Sequence, residues 1–195
     1  MTNGGKPAPK RPPRQGKFTE GLLDNARILD ALGIRAGQTI LDAGCGNGYM
    51  AKRFWHAVSP SGKVIALDPD ESLISILKKE TQGTQIDAIT GDITRPTRID
   101  SSSIDLVYLS TVVHVFSKRQ MGGFITEVER LLKPDGVLAV VNIEKKATPF
   151  GPPLASRLSP EALKKIIPLS AGDTITVGRH FYMQIFHNGT PNGKR

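Results

Sequence analysis

Apolar positions along this chain switch repeatedly between helical spacing and short continuous runs. In FTEGLLDNARILDALG (18–33), Leu22, Leu23, Ala26, Ile28, Leu29 and Leu32 recur on one side, and Gly33 supplies a stop, which predicts a helix over 18–32. TILDA (39–43) then reads as a strand that runs into a glycine-rich loop. A helix is expected over 48–58, broken by Ser59-Pro60-Ser61-Gly62. KVIALD (63–68) is a second strand. Asp70 is placed to cap the next helix, with Glu71 in its first turn and Lys78 and Lys79 in its last, each sign matched to the helix dipole, and Gly83 after its end. QIDAIT (85–90) and IDLVYLS (104–110) are the third and fourth strands. Ser117 and Gln120 form a capping box for a helix reaching Leu132, despite Gly122 and Gly123. Lys133-Pro134-Asp135-Gly136 turns the chain into VLAVVNI (137–143), and Ser159-Pro160 opens a helix at EALKKII.

Strands alternating with helices predict an α/β fold, a mainly parallel sheet with helices on both faces. The end of the chain breaks that rhythm. DTITVG (173–178) and HFYMQIFH (180–187) are strand-like and joined through Gly178 and Arg179, too short a link for a parallel crossover. The expectation is a Rossmann-like seven-stranded sheet with one antiparallel strand near the C-terminus.

Composition adds bounds. The 195 residues and 38% apolar content suit one domain, expected over 18–190 and followed by a flexible 191–195. The net charge is +8, but Lys6, Lys10, Arg11, Arg14 and Lys17 all fall in the first 17 residues, with no acid among them. Lys194 and Arg195 lie at the other end, leaving the stretch between near neutrality. Residues 1–17 read as a disordered, solubilising Pro/Gly-rich basic tail without aromatic residues, rather than as part of a phosphate-tracking face. No apolar run approaches the roughly 18–20 residues of a spanning helix, and the first residues lack a signal peptide's apolar stretch. With one cysteine, Cys45, no internal disulfide forms. A cytoplasmic protein without membrane insertion is expected.

The glycine loop in ILDAGCGNGYM (40–50) carries the chemistry, and two readings fit it. Gly46, Gly48 and Ala51 match the G-x-G-x-x-A of dinucleotide binding; Gly44, Gly46 and Gly48 match the tighter G-x-G-x-G of S-adenosylmethionine (SAM) sites. Asp68 closes the second strand twenty residues after Gly48, where a carboxylate accepts ribose hydroxyls from either cofactor or caps the turn.

The ordered series ILDAGCGNG (40–48), VIALDPD (64–70), TGDI (90–93), IDLVYLSTVVHV (104–115) and LLKPDGVLAVVN (131–142), ending in a reversed strand, resembles the class I SAM-dependent methyltransferases. The pattern is similar to the mixed group of small-molecule methyltransferases. The resemblance implies SAM as cofactor, with S-adenosylhomocysteine as product. It carries cofactor contacts to Asp42, Gly44, Cys45, Gly46, Asn47, Gly48, Asp68, Pro69, Asp92, Ile93 and Ser110. Asp42 would hold the amino-acid end, or else cap backbone amides. Asp92 would take the adenine amino group with Ile93 against the ring, or else serve the turn. Cys45 reads as a small loop filler, since nothing cationic beside it activates the thiol.

Methyl transfer from a sulfonium needs alignment and exclusion of water more than a catalytic triad. Ligands of open α/β sheets bind at the carboxyl ends of strands, so Ser110, Thr111 and His114 after strand four are placed to meet an acceptor. His114 is the candidate general base, and Glu144 after strand five has a weaker claim. LSTV (109–112) stands where adenine and glutamine methyltransferases carry Asn/Asp-Pro-Pro-Tyr, and the four histidines have no metal-ligand spacing. EKKATPFGPPLASRLS (144–159) reads as a lid or substrate wall together with the helix at 18–32, or as a plain crossover. The rivals to a small-molecule methyltransferase are an RNA methyltransferase using the tail, a non-catalytic SAM-binding subunit and an NAD(P)-dependent oxidoreductase. The last lacks a Tyr-x-x-x-Lys pair here. The acceptor and the oligomeric state are not fixed by sequence.

Overall fold

Seven strands form one sheet in the computed structural model of the chain, which describes residues 20–189. The expected basic tail 1–17 and flexible end 191–195 lie outside the described residues. The strands are β1 (Thr39–Ala43), β2 (Lys63–Asp68), β3 (Ile86–Thr90), β4 (Ile104–Ser110), β5 (Leu132–Ile143), β6 (Ser170–Gly178) and β7 (Phe181–His187), in the order β3-β2-β1-β4-β5-β7-β6. The strands β1 to β5 pair in parallel. The strand β7 is antiparallel to both β5 and β6, so it alone is reversed, lodged between them. This is the expected Rossmann-like architecture.

The helices are α1 (Asn25–Leu32), α2 (Tyr49–Val58), α3 (Glu71–Glu80), α4 (Lys118–Leu131) and α5 (Pro160–Ile166). Side chains alternate across each strand, and two cores result. Ile40, Ala66, Ala88, Leu106 and Val141 face Ile28, Phe54, Ile74 and Leu77 of α1 to α3. Leu41, Leu67, Val107, Leu109 and Val140 face Phe124, Val128, Leu131 and Leu163 of α4 and α5.

The caps form as the sequence specifies. Asp70 accepts the Ser72 and Leu73 amides, Ser117 and Gln120 close their box, and Ser159 precedes Pro160. The glycine pair within α4 also finds its reason. A Cβ on Gly123 would lie 2.1 Å from the Thr94 carbonyl oxygen, so the helix approaches the 92–97 loop only because that side chain is missing.

Three boundaries differ from expectation. The first helix begins at Asn25 rather than at 18: Gly21 has φ +76°, and the Asp24 side chain accepts the Arg27 amide as cap, leaving 20–23 as a turn. The strand β5 begins at Leu132, which pairs with Ile104 before the 133–136 turn bulges out and Val137 rejoins opposite Leu106. The strand β6 begins at Ser170 because its first residues pair with His187 and Phe186. No helix among the described residues is long and apolar enough to cross a membrane.

Candidate active site

The loop after β1 is held by the end of β2. The amides of Gly44 and Cys45 both donate to the Leu67 carbonyl, at 2.7 and 3.1 Å, and the Gly46 amide donates to Asp68 Oδ2 at 2.9 Å. Gly44, Gly46 and Gly48 have φ of +72°, +55° and +76°, a region that side chains disfavour. Their bareness also serves packing within the chain: a Cβ on Gly44 would sit 2.7 Å from Val112, and one on Gly48 2.4 Å from Leu77. The first contact brings the loop after β4 against the loop after β1. Asn47 accepts the Tyr49 amide at 3.2 Å and donates to Glu20, which lies over the loop in the turn before α1.

The carboxylates follow from strand register. Asp42 on β1 pairs with Ala66 on β2 and Tyr108 on β4, and Asp68 pairs with Thr90, two residues before Asp92. Asp68 accepts the Asp70 amide at Oδ1 as well as Gly46 at Oδ2, which leaves lone pairs on both oxygens for ligand donors. Asp92 accepts the Thr94 amide and hydroxyl at Oδ1, while Oδ2 lies 3.8 Å from Arg95 Nε. Asp42 is different: it is 3% exposed, and its Oδ2 makes no hydrogen bond. Burial pushes its carboxyl up to about 7; the Ala51 amide offsets part of the rise and the Asp68 charge adds to it. A buried oxygen of this kind costs stability until a donor reaches it.

The remaining predicted residues divide. Ser110 ends β4 with its hydroxyl buried and without a well-formed hydrogen bond. Pro69 is exposed between Asp68 and Asp70. Ile93 is 5% exposed, packed in the core beneath α4. Cys45 is buried, and burial together with the Asp42 and Asp68 charges drives its thiol far above the usual range, which disfavours the thiolate. Glu144 pairs with Lys146 Nζ at 2.6 Å.

Beside this edge lies a cavity of about 530 Å³ lined by Leu22, Thr111, His114, Ile143, Phe150, Gly151, Pro152 and Phe181. Leu22 comes from the turn before α1; Phe150, Gly151 and Pro152 come from the 144–157 segment. That segment is clasped by one side chain. Arg157, 5% exposed, donates from Nε to the Pro152 carbonyl (2.8 Å), from Nη1 to those of Glu144 (3.1 Å) and Lys146 (2.8 Å), and from Nη2 to that of Phe150 (3.1 Å). His114 stands in the short 3-10 turn Val113–Val115. Thr111 has φ +56°, and its amide donates to the Val141 carbonyl at 2.8 Å. Such a conformation in a β-branched residue costs about 1–3 kcal/mol.

Arg157, Phe150 and Phe181 were not among the site residues read from sequence, and Thr111 was noted only for its place after β4. Arg157 carries no motif, and its role depends on a loop path that residue spacing does not encode. A positive φ at threonine likewise leaves no compositional sign.

Residues 40–136 match a family profile described as a methyltransferase domain. The chain is 29% identical over 129 residues to an uncharacterized methyltransferase of Synechocystis, covering 65% of this chain and 58% of that protein. It is 26% identical over 126 residues to a ubiquinone/menaquinone biosynthesis C-methyltransferase of Hahella chejuensis, covering 63% and 49%. The chain thus spans less than two thirds of these curated relatives. A solved SAM-dependent methyltransferase from Aquifex aeolicus superposes with a TM-score of 0.77 at 21% identity, over 88% of this chain and 93% of that one.

Proposed function

We propose that this chain, which belongs to the class I SAM-dependent methyltransferase family, moves a methyl group from SAM to a small molecule held in the cavity beside Thr111 and His114. The observation that carries the reading is Asp42. Its Oδ2 is buried without a donor next to a loop of three positive-φ glycines, at the same strand edge as the cavity. A ligand whose amino-acid end brings an ammonium, directly or through water, fits that oxygen.

In this reading the Gly44–Gly48 loop and Ser110 hold the amino-acid end with Asp42. Asp68 takes ribose hydroxyls on its spare lone pairs, and Pro69, Asp92 and Ile93 border the adenine. Cys45 and Asn47 shape the loop. Bound there, SAM, the family's cofactor, would supply an activated methyl, with S-adenosylhomocysteine as the product. The protein's own part is alignment and exclusion of water by the cavity lining, Leu22, the 150–152 segment, Thr111 and His114 among it. His114 accepts the proton of an acceptor that arrives protonated.

A small acceptor is favoured over RNA because, among the described residues, no lysine or arginine lines the cavity, whereas a polymer's phosphates call for cations at the rim. A cytoplasmic location accords with the single, buried thiol. Calorimetry with SAM, S-adenosylhomocysteine and NAD tests the cofactor: binding of the first two, and not of NAD, is expected. NAD binding alone would favour the oxidoreductase. SAM binding without label transfer to any acceptor class would favour a non-catalytic subunit, and label transfer to RNA the polymer reading.

A further inference from the structure

The cavity's chemistry narrows the acceptor. Resting on the methyltransferase reading above, we propose that it takes a flat aromatic molecule bearing a hydroxyl at its edge, and that strained Thr111 grips that hydroxyl. Apolar walls make up most of the site: Ile143 and Phe181 from the sheet, with Leu22 and Phe150 from the flanking loops. Leu22 and Phe150 are 44% and 39% exposed, apolar surface that a bound ring would cover. The Phe150 ring lies within 29° of parallel to Phe181 at 6.1 Å between centroids, and edge-on to His180 at 5.6 Å. These faces and edges favour a planar π-system over a puckered one.

Among the described residues, polar side chains on the lining are confined to Thr111 and His114, and no charged group joins them. One hydroxyl or its equivalent therefore suffices on the ligand, set at one end. Thr111 supplies the second observation. A β-branched residue at φ +56° persists only where its surroundings hold it there, and glycine would sit in the same backbone without strain. Keeping threonine at this turn, at the mouth of a cavity, points to its hydroxyl serving a ligand. On transfer a lone pair of the acceptor oxygen forms the bond to the methyl carbon. The carbon–sulfur bond breaks with its pair left on sulfur, and the hydroxyl proton passes to His114 and on to water.

The test uses the full chain, with 2-naphthol as probe, its saturated counterpart decalin-2-ol and naphthalene, each titrated with and without S-adenosylhomocysteine. Expected is binding of 2-naphthol about tenfold tighter than either control, and label transfer from SAM to 2-naphthol. In Thr111→Gly the midpoint of thermal unfolding should stay or rise while 2-naphthol affinity falls about tenfold. Thr111→Ser should retain affinity. Equal binding of 2-naphthol and decalin-2-ol would overturn the flat acceptor, whether or not the variants fold. Thr111→Gly with undiminished 2-naphthol affinity would overturn the grip. Failure of S-adenosylhomocysteine to bind would count against the cofactor reading instead, with the probe titrations in its absence still deciding the acceptor class.

Discussion

The Asp68 carboxylate accepts the Gly46 amide at 2.9 Å, and so ties the loop after β1 to the end of β2. Its other oxygen accepts the Asp70 amide, where the chain enters α3. One side chain therefore fixes two loops and is also the group proposed to take ribose. Removing it disturbs fold and ligand together.

Asp68→Ala is expected to weaken SAM binding by about 10- to 100-fold, through lost charge-assisted bonds each worth about 1.5–3 kcal/mol. Asp68→Asn retains an acceptor oxygen and should fall between. Calorimetric titration of both variants reads the difference.

Asp42 predicts a pH dependence. Its folded pKa, about 7, lies above its ordinary value of 3.8. Between those values the folded protein holds a proton that the unfolded chain has released. Ligand-free stability should thus decline as pH rises from about 4 to 7 and level off above. An ammonium ligand requires the carboxylate, so SAM affinity should fall by up to about tenfold per pH unit below 7. Asp42→Asn should abolish this slope in calorimetry.

Arg157→Met should leave four carbonyls without their shared donor and cost about 2–4 kcal/mol in urea unfolding. Trypsin should then cleave faster at Lys145 or Lys146, both exposed on the clasped segment. Cofactor affinity should be unchanged, because the clasp lies on the cavity's outer wall.

His114→Ala should lower label transfer to a hydroxyl acceptor by about 10²–10⁴-fold while SAM still binds. Undiminished transfer would assign deprotonation to water.

Glu127 tests the far side of the fold. It is 3% exposed and accepts from the Thr97 amide and hydroxyl and from Arg130. Burial opposes its charge, yet the Arg130 and Thr97 bonds outweigh that and hold the carboxyl below its ordinary 4.5. Its contribution is present above pH 4.5 and lost as pH falls through the lowered value. Glu127→Ala should cost about 1–3 kcal/mol in thermal or urea unfolding, because it strands the Thr97 amide and hydroxyl while Arg130 stays partly solvated.

The strand-helix alternation, the reversed strand near the C-terminus and the glycine loop were legible in sequence because each rests on local signals: apolar runs, capping residues and a link too short to cross over; the order of the strands across the sheet was not. The loop's bond to Asp68 was only half legible. The residue stood out, but its service to Gly46 depends on two strands lying side by side. Gly123 looked like a flaw in a helix until the Thr94 carbonyl was found against it. The 144–159 segment and the first helix were expected to form a lid or substrate wall; the cavity takes Leu22 from the turn before α1 and Phe150, Gly151 and Pro152 from that segment, and sequence did not single out these side chains. The segment's shape comes from Arg157 reaching back over 13 residues to the Glu144 carbonyl, and a lone arginine in a proline-rich loop gives no sign of that.

Because β7 lies between β5 and its own predecessor β6, the sheet cannot grow in the order in which it is translated. Phe181 reaches its place only when β7 enters the gap between β5 and β6. A chain halted before that point would lack the Phe181 wall of the cavity and the side chains that β7 gives to both cores.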